Sequence, residues 1–144
     1  MHLAQSVTVG APIDKTFDCW AALERSSEHQ KPTIDRTKLT DGPIGVGTRY
    51  SAVDQWPGRK VSFEMEITSY ERPVQISVRW DQPMNGSWTA RFSESGGQTA
   101  MEFETSIEPG GIMGLLAPLM KPWANRQLRD GLASFARWVE SGGC

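Results

Sequence analysis

The C-terminal run of residues 110–142 constrains the fold more than any other stretch of this sequence. Its apolar residues recur at intervals of three and four, which is typical of one side of an α-helix and not of a strand. Such a helix would be roughly 45 Å long, and its apolar stripe would not be stable alone in water. We therefore expect the rest of the chain to cover the stripe, which comprises Ile112, Leu115, Leu116, Leu119, Met120, Trp123, Leu128, Leu132, Phe135, Trp138 and Val139.

Two prolines lie inside this run. Pro118 and Pro122 each lack a backbone N–H, and each ring clashes with the carbonyl four residues back. The sequence therefore predicts a short helical segment over 112–117, a kink, and a regular helix from Pro122 to Ser141. The charged residues on the polar side of this helix favour a solvated surface over a contact with nucleic acid.

The middle of the chain alternates apolar and polar residues with a period of two, which predicts antiparallel strands with one covered face and one wet face. A helix is expected from Pro12 to about Arg25, followed by a second short turn over 28–30. The predicted fold is α+β: a seven-stranded curved antiparallel sheet around the long C-terminal helix, with two short helices after the first strand. The predicted strands cover 3–9, 33–39, 48–55, 59–69, 74–80, 88–93 and 101–107.

Length and composition set further bounds. A chain of 144 residues is expected to be one domain, 1–144, and its 15 basic and 17 acidic side chains give no electrostatic argument for nucleic acid or an anionic membrane. No signal peptide or membrane span is expected, so cytoplasmic residence is the default. Cys19 and Cys144 do not make a disulfide framework, and Cys19 is expected to be a small buried apolar side chain.

Several motifs occur in a fixed order along nearly the whole chain: VTVGAPIDKTFDCWAAL, GVGTRY, ITSYERPVQISVRW, SGGQTAMEFETSI and LLAPLMKPWANRQLRDGLASFARWVE. This ordered set resembles the START-like or SRPBCC superfamily, which has the helix-grip fold, and within it the polyketide cyclase/dehydratase-like proteins. One departure is the segment HQKPT, with His29 and Gln30, where the family often has a tryptophan in a W-x-P-like context. The resemblance implies a hydrophobic ligand held between the sheet and the C-terminal helix. Some members catalyse aromatic cyclisation, many only bind, and one branch activates a heat-shock chaperone.

The chemistry in the sequence is sparse. His2 and His29 lack the spacing of metal ligands, and no cofactor is expected. The third strand carries the only candidate for catalysis, Asp54, which shares a predicted inward face with Tyr50. A carboxylate in an apolar pocket can serve as an acid or a base. The alternatives are that Asp54 lies at the strand end in a salt bridge with Arg59 or Arg79, or that a bulge turns it to the outer face.

These observations predict binding of a small hydrophobic ligand, aromatic, polyketide-like or lipid-like, in a cavity between the sheet and the C-terminal helix. Two alternatives stay open: an enzyme of the polyketide cyclase/dehydratase type that uses the same cavity, and a protein-binding module of the chaperone-activator kind. The protein is expected to be a monomer or a weak homodimer. The predicted ligand-binding residues are Tyr50, Asp54, Met65, Trp80, Trp88, Phe103, Thr105, Trp123, Gln127 and Leu128.

Overall fold

The computed structural model describes residues 1–144 and contains seven strands, two α-helices and one 3₁₀ helix. None of the helices is both long and apolar enough to cross a membrane. The elements follow one another as β1 (His2–Val9), α1 (Ile13–Ala21), the 3₁₀ helix (Leu23–Glu28), β2 (Thr33–Lys38), β3 (Arg49–Trp56), β4 (Arg59–Glu71), β5 (Gln75–Trp80), β6 (Gly86–Ser95), β7 (Gln98–Ile107) and α2 (Gly111–Glu140).

The strands form one curved antiparallel sheet in the order β1-β7-β6-β5-β4-β3-β2. The predicted helix-grip architecture is therefore confirmed. Because consecutive strands are antiparallel, their connections collect at two ends of the sheet. The connections 57–58, 81–85 and 108–110 share the end at which α2 begins, which we call the entry end, while 39–48 and 96–97 lie at the other end. The N–H of Glu108 donates to the carbonyl of Asn85 at 2.9 Å and ties two of the entry-end connections together.

The core lies between the apolar face of the sheet and the second half of α2. Leu132, Phe135 and Val139 are at most 1% exposed and belong to the same buried cluster as Tyr50 of β3 and Met101 of β7. Their spacing of three and four residues places them on one side of the helix, as the sequence predicts. Complete burial of side chains of this size stabilises the fold by about 1.5–3 kcal/mol each.

The first half of α2 is not covered by the sheet, so the prediction of a fully covered stripe is wrong there. Ile112, Leu115 and Leu119 are 76–80% exposed. The predicted division of this run into two helical segments is also wrong, because α2 is one continuous helix that includes Pro118 and Pro122. Both prolines are exposed, so water can reach the carbonyls that lose a helical partner at each proline, which lowers the penalty for continuing the helix.

The first helix is shorter than predicted. α1 ends at Ala21 instead of continuing to Arg25, and the 3₁₀ helix Leu23–Glu28 replaces the turn expected over 28–30. The change of helix type redirects the chain so that Leu23 and His29 are both buried, at 3% and 4% exposure. Burial of these two side chains thus decides the helix boundary.

Cys19 is buried as expected, at 1% exposure. The expectation that the two cysteines make no disulfide framework is wrong, because Cys19 and Cys144 form a disulfide across 125 residues of sequence. The residues after α2 turn back on the helix, where the N–H of Gly143 donates to the carbonyl of Trp138 at 2.9 Å. The guanidinium of Arg25 donates to the carbonyl of Gly143 and lies 5.0 Å from the centre of the Trp138 ring. These contacts hold the tail beside α1, where Cys144 meets Cys19.

We predict that this cross-link stabilises the domain, because it closes almost the whole chain into one loop and lowers the entropy of the unfolded state. Reduction, or the Cys144→Ser substitution, should lower the free energy of unfolding by about 2–5 kcal/mol. Urea unfolding with and without dithiothreitol measures the effect. The matched control is Cys19→Ser/Cys144→Ser, whose unfolding midpoint should not respond to dithiothreitol; a wild-type midpoint equally unresponsive would contradict the prediction.

Candidate functional site

An aromatic cluster joins α1, the sheet and α2 in the interior. Trp20 of α1 lies at its centre, with its ring centre 4.9 Å from that of Phe135, 5.6 Å from Phe103 and 5.9 Å from Trp88, each in an edge-to-face arrangement. Such pairs add about 0.5–1.5 kcal/mol beyond the area that they bury. Trp88 and Phe103 come from the face of the sheet that α2 covers, so the cluster spans the interior of the grip.

His29 extends this cluster from the segment between the 3₁₀ helix and β2. Its ring centre lies 5.0 Å from that of Phe135 and 4.6 Å from that of Trp138. The side-chain amide nitrogen of Gln30 donates to Nδ1 of His29 at 2.9 Å and to the carbonyl of Gly131 at 3.0 Å. With Nδ1 accepting, the proton of the neutral imidazole resides on Nε2. Gln30 therefore fixes the tautomer of His29 and also ties this segment to α2.

Three buried polar groups have no hydrogen-bond partner within the protein: Nε1 of Trp20, Nε2 of His29 and the hydroxyl of Tyr50. The three residues are 7%, 4% and 0% exposed. A buried donor without a partner destabilises a fold by about 1–3 kcal/mol, so such groups are rare and each one calls for an explanation. All three are donors that a bound molecule with oxygen acceptors can pair.

Burial keeps these groups in their uncharged forms. It lowers the pKa of His29 to about 4, against a smaller opposing effect of the negative charge of Glu28, and the positive charge of Arg25 lowers this pKa further. Burial also raises the pKa of Tyr50 to about 12, with a further contribution from the negative charge of Glu24. At neutral pH the interior thus offers a neutral imidazole N–H, a phenol O–H and an indole N–H.

Asp54, the weak candidate for catalysis, is held in an ion pair. Nη1 of Arg36 donates to Oδ1 of Asp54 at 2.7 Å, and the two side chains are only 11% and 18% exposed. The predicted alternatives, Arg59 and Arg79, are not its partners. Arg36 pairs with Ala52 in the sheet register, so both point to the covered face, and its guanidinium lies 5.5 Å from the centre of the Phe63 ring. The ion pair is thus built on the inner face of the sheet near the entry end.

The structure brings most of the other predicted ligand-binding residues to the same inner face. Tyr50, Met65, Phe103 and Thr105 are buried, and the partly buried Trp80, Trp88 and Leu128 pack against the core cluster. The hydroxyl of Thr105 donates to the carbonyl of Ser87 at 2.9 Å, so this group already has a partner.

Trp123 and Gln127 are exposed and lie elsewhere, in a groove of about 550 Å³ between α2 and the start of β2. Their positions on α2 turn them away from the stripe of Leu128 and Leu132 that faces the sheet. The groove is mostly polar, and its lining residues are Lys31, Pro32, Trp123, Arg126, Gln127, Asp130, Gly131, Ser134 and Arg137.

Sequence reasoning missed the roles of Trp20, His29 and Arg36 in this site. Trp20 is visible on the apolar side of the first helix, but nothing local shows that its N–H lacks a partner. His29 stands where the sequence departs from the pattern of the superfamily that it resembles, which was the available signal. Arg36 belongs to a strand without clear alternation, and its inward direction follows only from its pairing with Ala52.

No cluster of three or more His, Cys, Asp or Glu residues is placed to hold a metal ion.

Solved structures with this fold cover nearly the whole chain. A protein of Thermus thermophilus superposes with a TM-score of 0.83 at 16% identity, covering 100% of both chains. A START superfamily protein from Mycobacterium smegmatis gives 0.81 at 15% identity and covers 97% of each chain. The Zhui aromatase/cyclase from Streptomyces sp. R1128 gives 0.76 at 15% identity, covering 97% of this chain and 93% of the other. At these identities the likeness establishes the fold alone.

Comparison with curated protein sequences yields no match. The sequence profile of one family, described as polyketide cyclase / dehydrase and lipid transport, matches residues 1–140. That match covers all seven strands and all three helices of the grip. The chain therefore belongs to the polyketide cyclase / dehydrase and lipid transport family, and its fold is that of the START superfamily protein from Mycobacterium smegmatis.

Proposed function

We propose that this protein binds a small, mostly hydrophobic ligand that carries oxygen acceptors, in the space between the inner face of the sheet and α2. The observation that carries the proposal is the set of three buried donors without partners, on Trp20, His29 and Tyr50. A ligand with carbonyl or phenol oxygens would pair them, and its flat apolar body would pack on the surrounding aromatic rings.

The shape of the entry end supports this proposal. Trp80 and Trp88 are only partly buried there, and Leu128 is the first residue of α2, in chain order, that packs against the core cluster. These partly buried apolar side chains would contact a molecule that enters between the strand ends and α2. The family description and the aromatase/cyclase title of one structural neighbour agree with aromatic, polyketide-like or lipid-like ligands.

An enzyme of the cyclase/dehydratase type remains the alternative reading of the same space. Its best candidate group is no longer Asp54 acting alone, because that carboxylate accepts a 2.7 Å hydrogen bond from Arg36. The neutral imidazole of His29 is better suited to polarise a substrate carbonyl by donating a hydrogen bond to its oxygen. No contact in the structure favours a chaperone-activating module over these two readings.

Tryptophan fluorescence tests the ligand class directly with two flat probes of the same skeleton, fluorene and 9-fluorenone. Both offer the same apolar surface, and only 9-fluorenone carries a carbonyl. We expect 9-fluorenone to bind at least about tenfold more tightly, because its oxygen pairs buried donors. Native mass spectrometry of protein purified from its own host should show a co-purified ligand. Equal affinities for the probes together with no co-purified ligand would contradict the proposal.

Tyr50→Phe separates a role in binding from a role in folding. The substitution removes a buried hydroxyl that has no partner and leaves the ring in place, so the free protein should be as stable as wild type or about 1 kcal/mol more stable. The affinity for 9-fluorenone should fall about tenfold if the ligand accepts from this hydroxyl. Tyr70→Phe is the matched control, because Tyr70 packs on Phe17 beside α1 and should leave affinity unchanged. Lower stability with unchanged affinity would show that the hydroxyl serves the fold.

The neutral state of His29 predicts a pH dependence of stability. Its pKa is about 4 in the folded protein and about 6.5 when unfolded. The unfolded chain therefore binds a proton first as the pH falls, and stability is lost between pH 6.5 and 4. Between pH 7 and 4.5 this one group should remove about 2 kcal/mol from the free energy of unfolding.

Urea unfolding at several pH values, compared between wild type and His29→Phe, isolates this contribution. The phenyl ring keeps the aromatic packing and removes the titrating group, so the variant should lose less stability over this range. His2→Asn is the control, since His2 is exposed on the outer side of β1. Parallel curves for wild type and His29→Phe would refute the assignment.

A further inference from the structure

The tail, residues 141–144, packs against one end of the aromatic cluster. The main chain of Gly143 lies so close to the indole of Trp138 that a Cβ at position 143 would be 2.3 Å from Cδ1 and Nε1 of that ring. The Trp138 ring also contacts His29, with ring centres 4.6 Å apart. Trp138 therefore connects the tail to a residue that carries one of the three buried donors without a partner.

The disulfide connects the tail to the centre of the same cluster. Cys19 directly precedes Trp20 on α1, and the ring centre of Trp20 lies 5.7 Å from that of His29. The bond between Cys19 and Cys144 thus joins the tail to the helix that positions Trp20. Two of the residues with an unpaired N–H, Trp20 and His29, are each one contact away from the cross-linked segment.

Few other contacts hold the tail. The N–H of Gly143 donates to the carbonyl of Trp138 at 2.9 Å, and its carbonyl accepts from Arg25, which also pairs with Glu28 at 2.7 Å. The two glycines have no side chains to bury, and Cys144 is exposed. Ordering such a segment costs more free energy than a few hydrogen bonds return. The tail therefore depends on the disulfide for its position.

We propose that the disulfide between Cys19 and Cys144 is a redox switch for ligand binding: the oxidised protein holds Trp138 and His29 in place, and reduction by a dithiol releases the tail and weakens binding without unfolding the domain. Release would let the Trp138 indole move away from His29, so that water reaches the buried imidazole N–H. A ligand that pairs a hydrated donor must displace water, so it gains less from the hydrogen bond. The oxidised form is therefore the one that binds more tightly.

The exchange chemistry begins at the exposed sulfur. A thiolate of the dithiol attacks the sulfur of Cys144, and Cys19, which is 1% exposed, leaves as a thiolate and takes up a proton. The second thiol of the reductant then attacks the reductant's own sulfur in the mixed disulfide and releases Cys144, which is protonated in turn. Two electrons and two protons pass to the protein, and the reductant becomes a disulfide.

Hydrogen–deuterium exchange of the ligand-free protein tests the switch without reference to any ligand. The N–H groups of His29 and Gln30 donate to the carbonyl of Ser26 at 3.2 and 2.8 Å, so they report on loosening of this segment. At short labelling times, reduction with dithiothreitol should increase exchange in 23–30 and 138–144, while β4–β7 stay protected. The circular dichroism of the reduced protein should remain that of a folded domain.

Three results of this experiment would overturn the proposal. The first is unfolding on reduction without denaturant, and the second is loss of protection in β4–β7 at the same short times. In both cases the disulfide would stabilise the fold as a whole and would not control one site. The third is faster exchange in the tail alone, because the segment 23–30 would then be independent of the tail.

Two glycine substitutions separate the tail contact from the covalent bond. Gly143→Ala keeps both cysteines, but its Cβ would overlap the Trp138 ring, so the oxidised variant should exchange in 23–30 like reduced wild type. Gly45→Ala is the matched control, because a Cβ there has no atom within 4 Å and the backbone has no positive φ. Oxidised Gly143→Ala with the protection of oxidised wild type in 23–30 would contradict the role of the tail.

Titration of 9-fluorenone measures the effect on binding, and this step rests on the proposed function. Wild type should bind at least about fivefold more weakly after reduction, and Cys144→Ser should bind weakly with or without dithiothreitol. Leu3→Ala is the control for lower stability, because Leu3 is 5% exposed and lies outside the core cluster. It should bind like oxidised wild type.

The two measurements fail in different ways. Equal affinities of oxidised and reduced wild type for 9-fluorenone would refute redox control of binding, and so would an equal loss of affinity in Leu3→Ala. If 9-fluorenone bound neither form, the proposed ligand class would be wrong. The exchange pattern in 23–30 would then decide by itself whether the disulfide controls the position of His29.

Discussion

The packing of the second half of α2 against the sheet is the interaction on which the rest of the structure depends. Leu132, Phe135 and Val139 are at most 1% exposed. Substituting alanine for any one of them would leave a cavity in the centre of the molecule. Phe135 also contacts Trp20 of α1 with ring centres 4.9 Å apart. The same stretch of helix thus anchors the sheet, the first helix and the C-terminal tail that carries Cys144.

This anchoring explains how the core tolerates polar groups without partners. The disulfide between Cys19 and Cys144 and the aromatic contacts of Trp20 supply stability close to the unpaired donors. A phenylalanine at position 50 would fill the same space with no buried hydroxyl. Retaining polar groups at such positions is the pattern expected where binding, and not folding alone, has shaped an interior.

The sheet could be predicted from the sequence because burial on one face imposes a period of two on every strand. In β3, Tyr50 and Ala52 face inward as that period requires, and they are 0% and 1% exposed. The partner of Asp54 could not be predicted in this way. It depends on the register that sets Arg36 opposite Ala52, and β2 carries no apolar alternation that would reveal this register.

The disulfide and the contacts of His29 could not be predicted from the sequence for a related reason. Cys19 and Cys144 are 125 residues apart, and their meeting depends on a tail folded back over Trp138 by contacts of Arg25 and Gly143. His29 is fixed by Gln30, which itself reaches Gly131 of α2. Both arrangements are products of the tertiary structure, and neither leaves a periodic signal. The ligand-binding role of the predicted residues stays a prediction.

The two halves of α2 show that an apolar stripe with helical spacing does not by itself predict which part of a helix is buried. The apolar stripe continues through both halves, yet only one half is buried. Length distinguishes them: α2 has 30 residues and β1, beside which it packs, has 8. These lengths correspond to about 45 Å of helix and about 27 Å of strand. A helix that ends level with the sheet must therefore extend roughly 18 Å beyond β1, about twelve residues. The exposed apolar residues 112–123 occupy that extension, so their exposure follows from the dimensions of the fold.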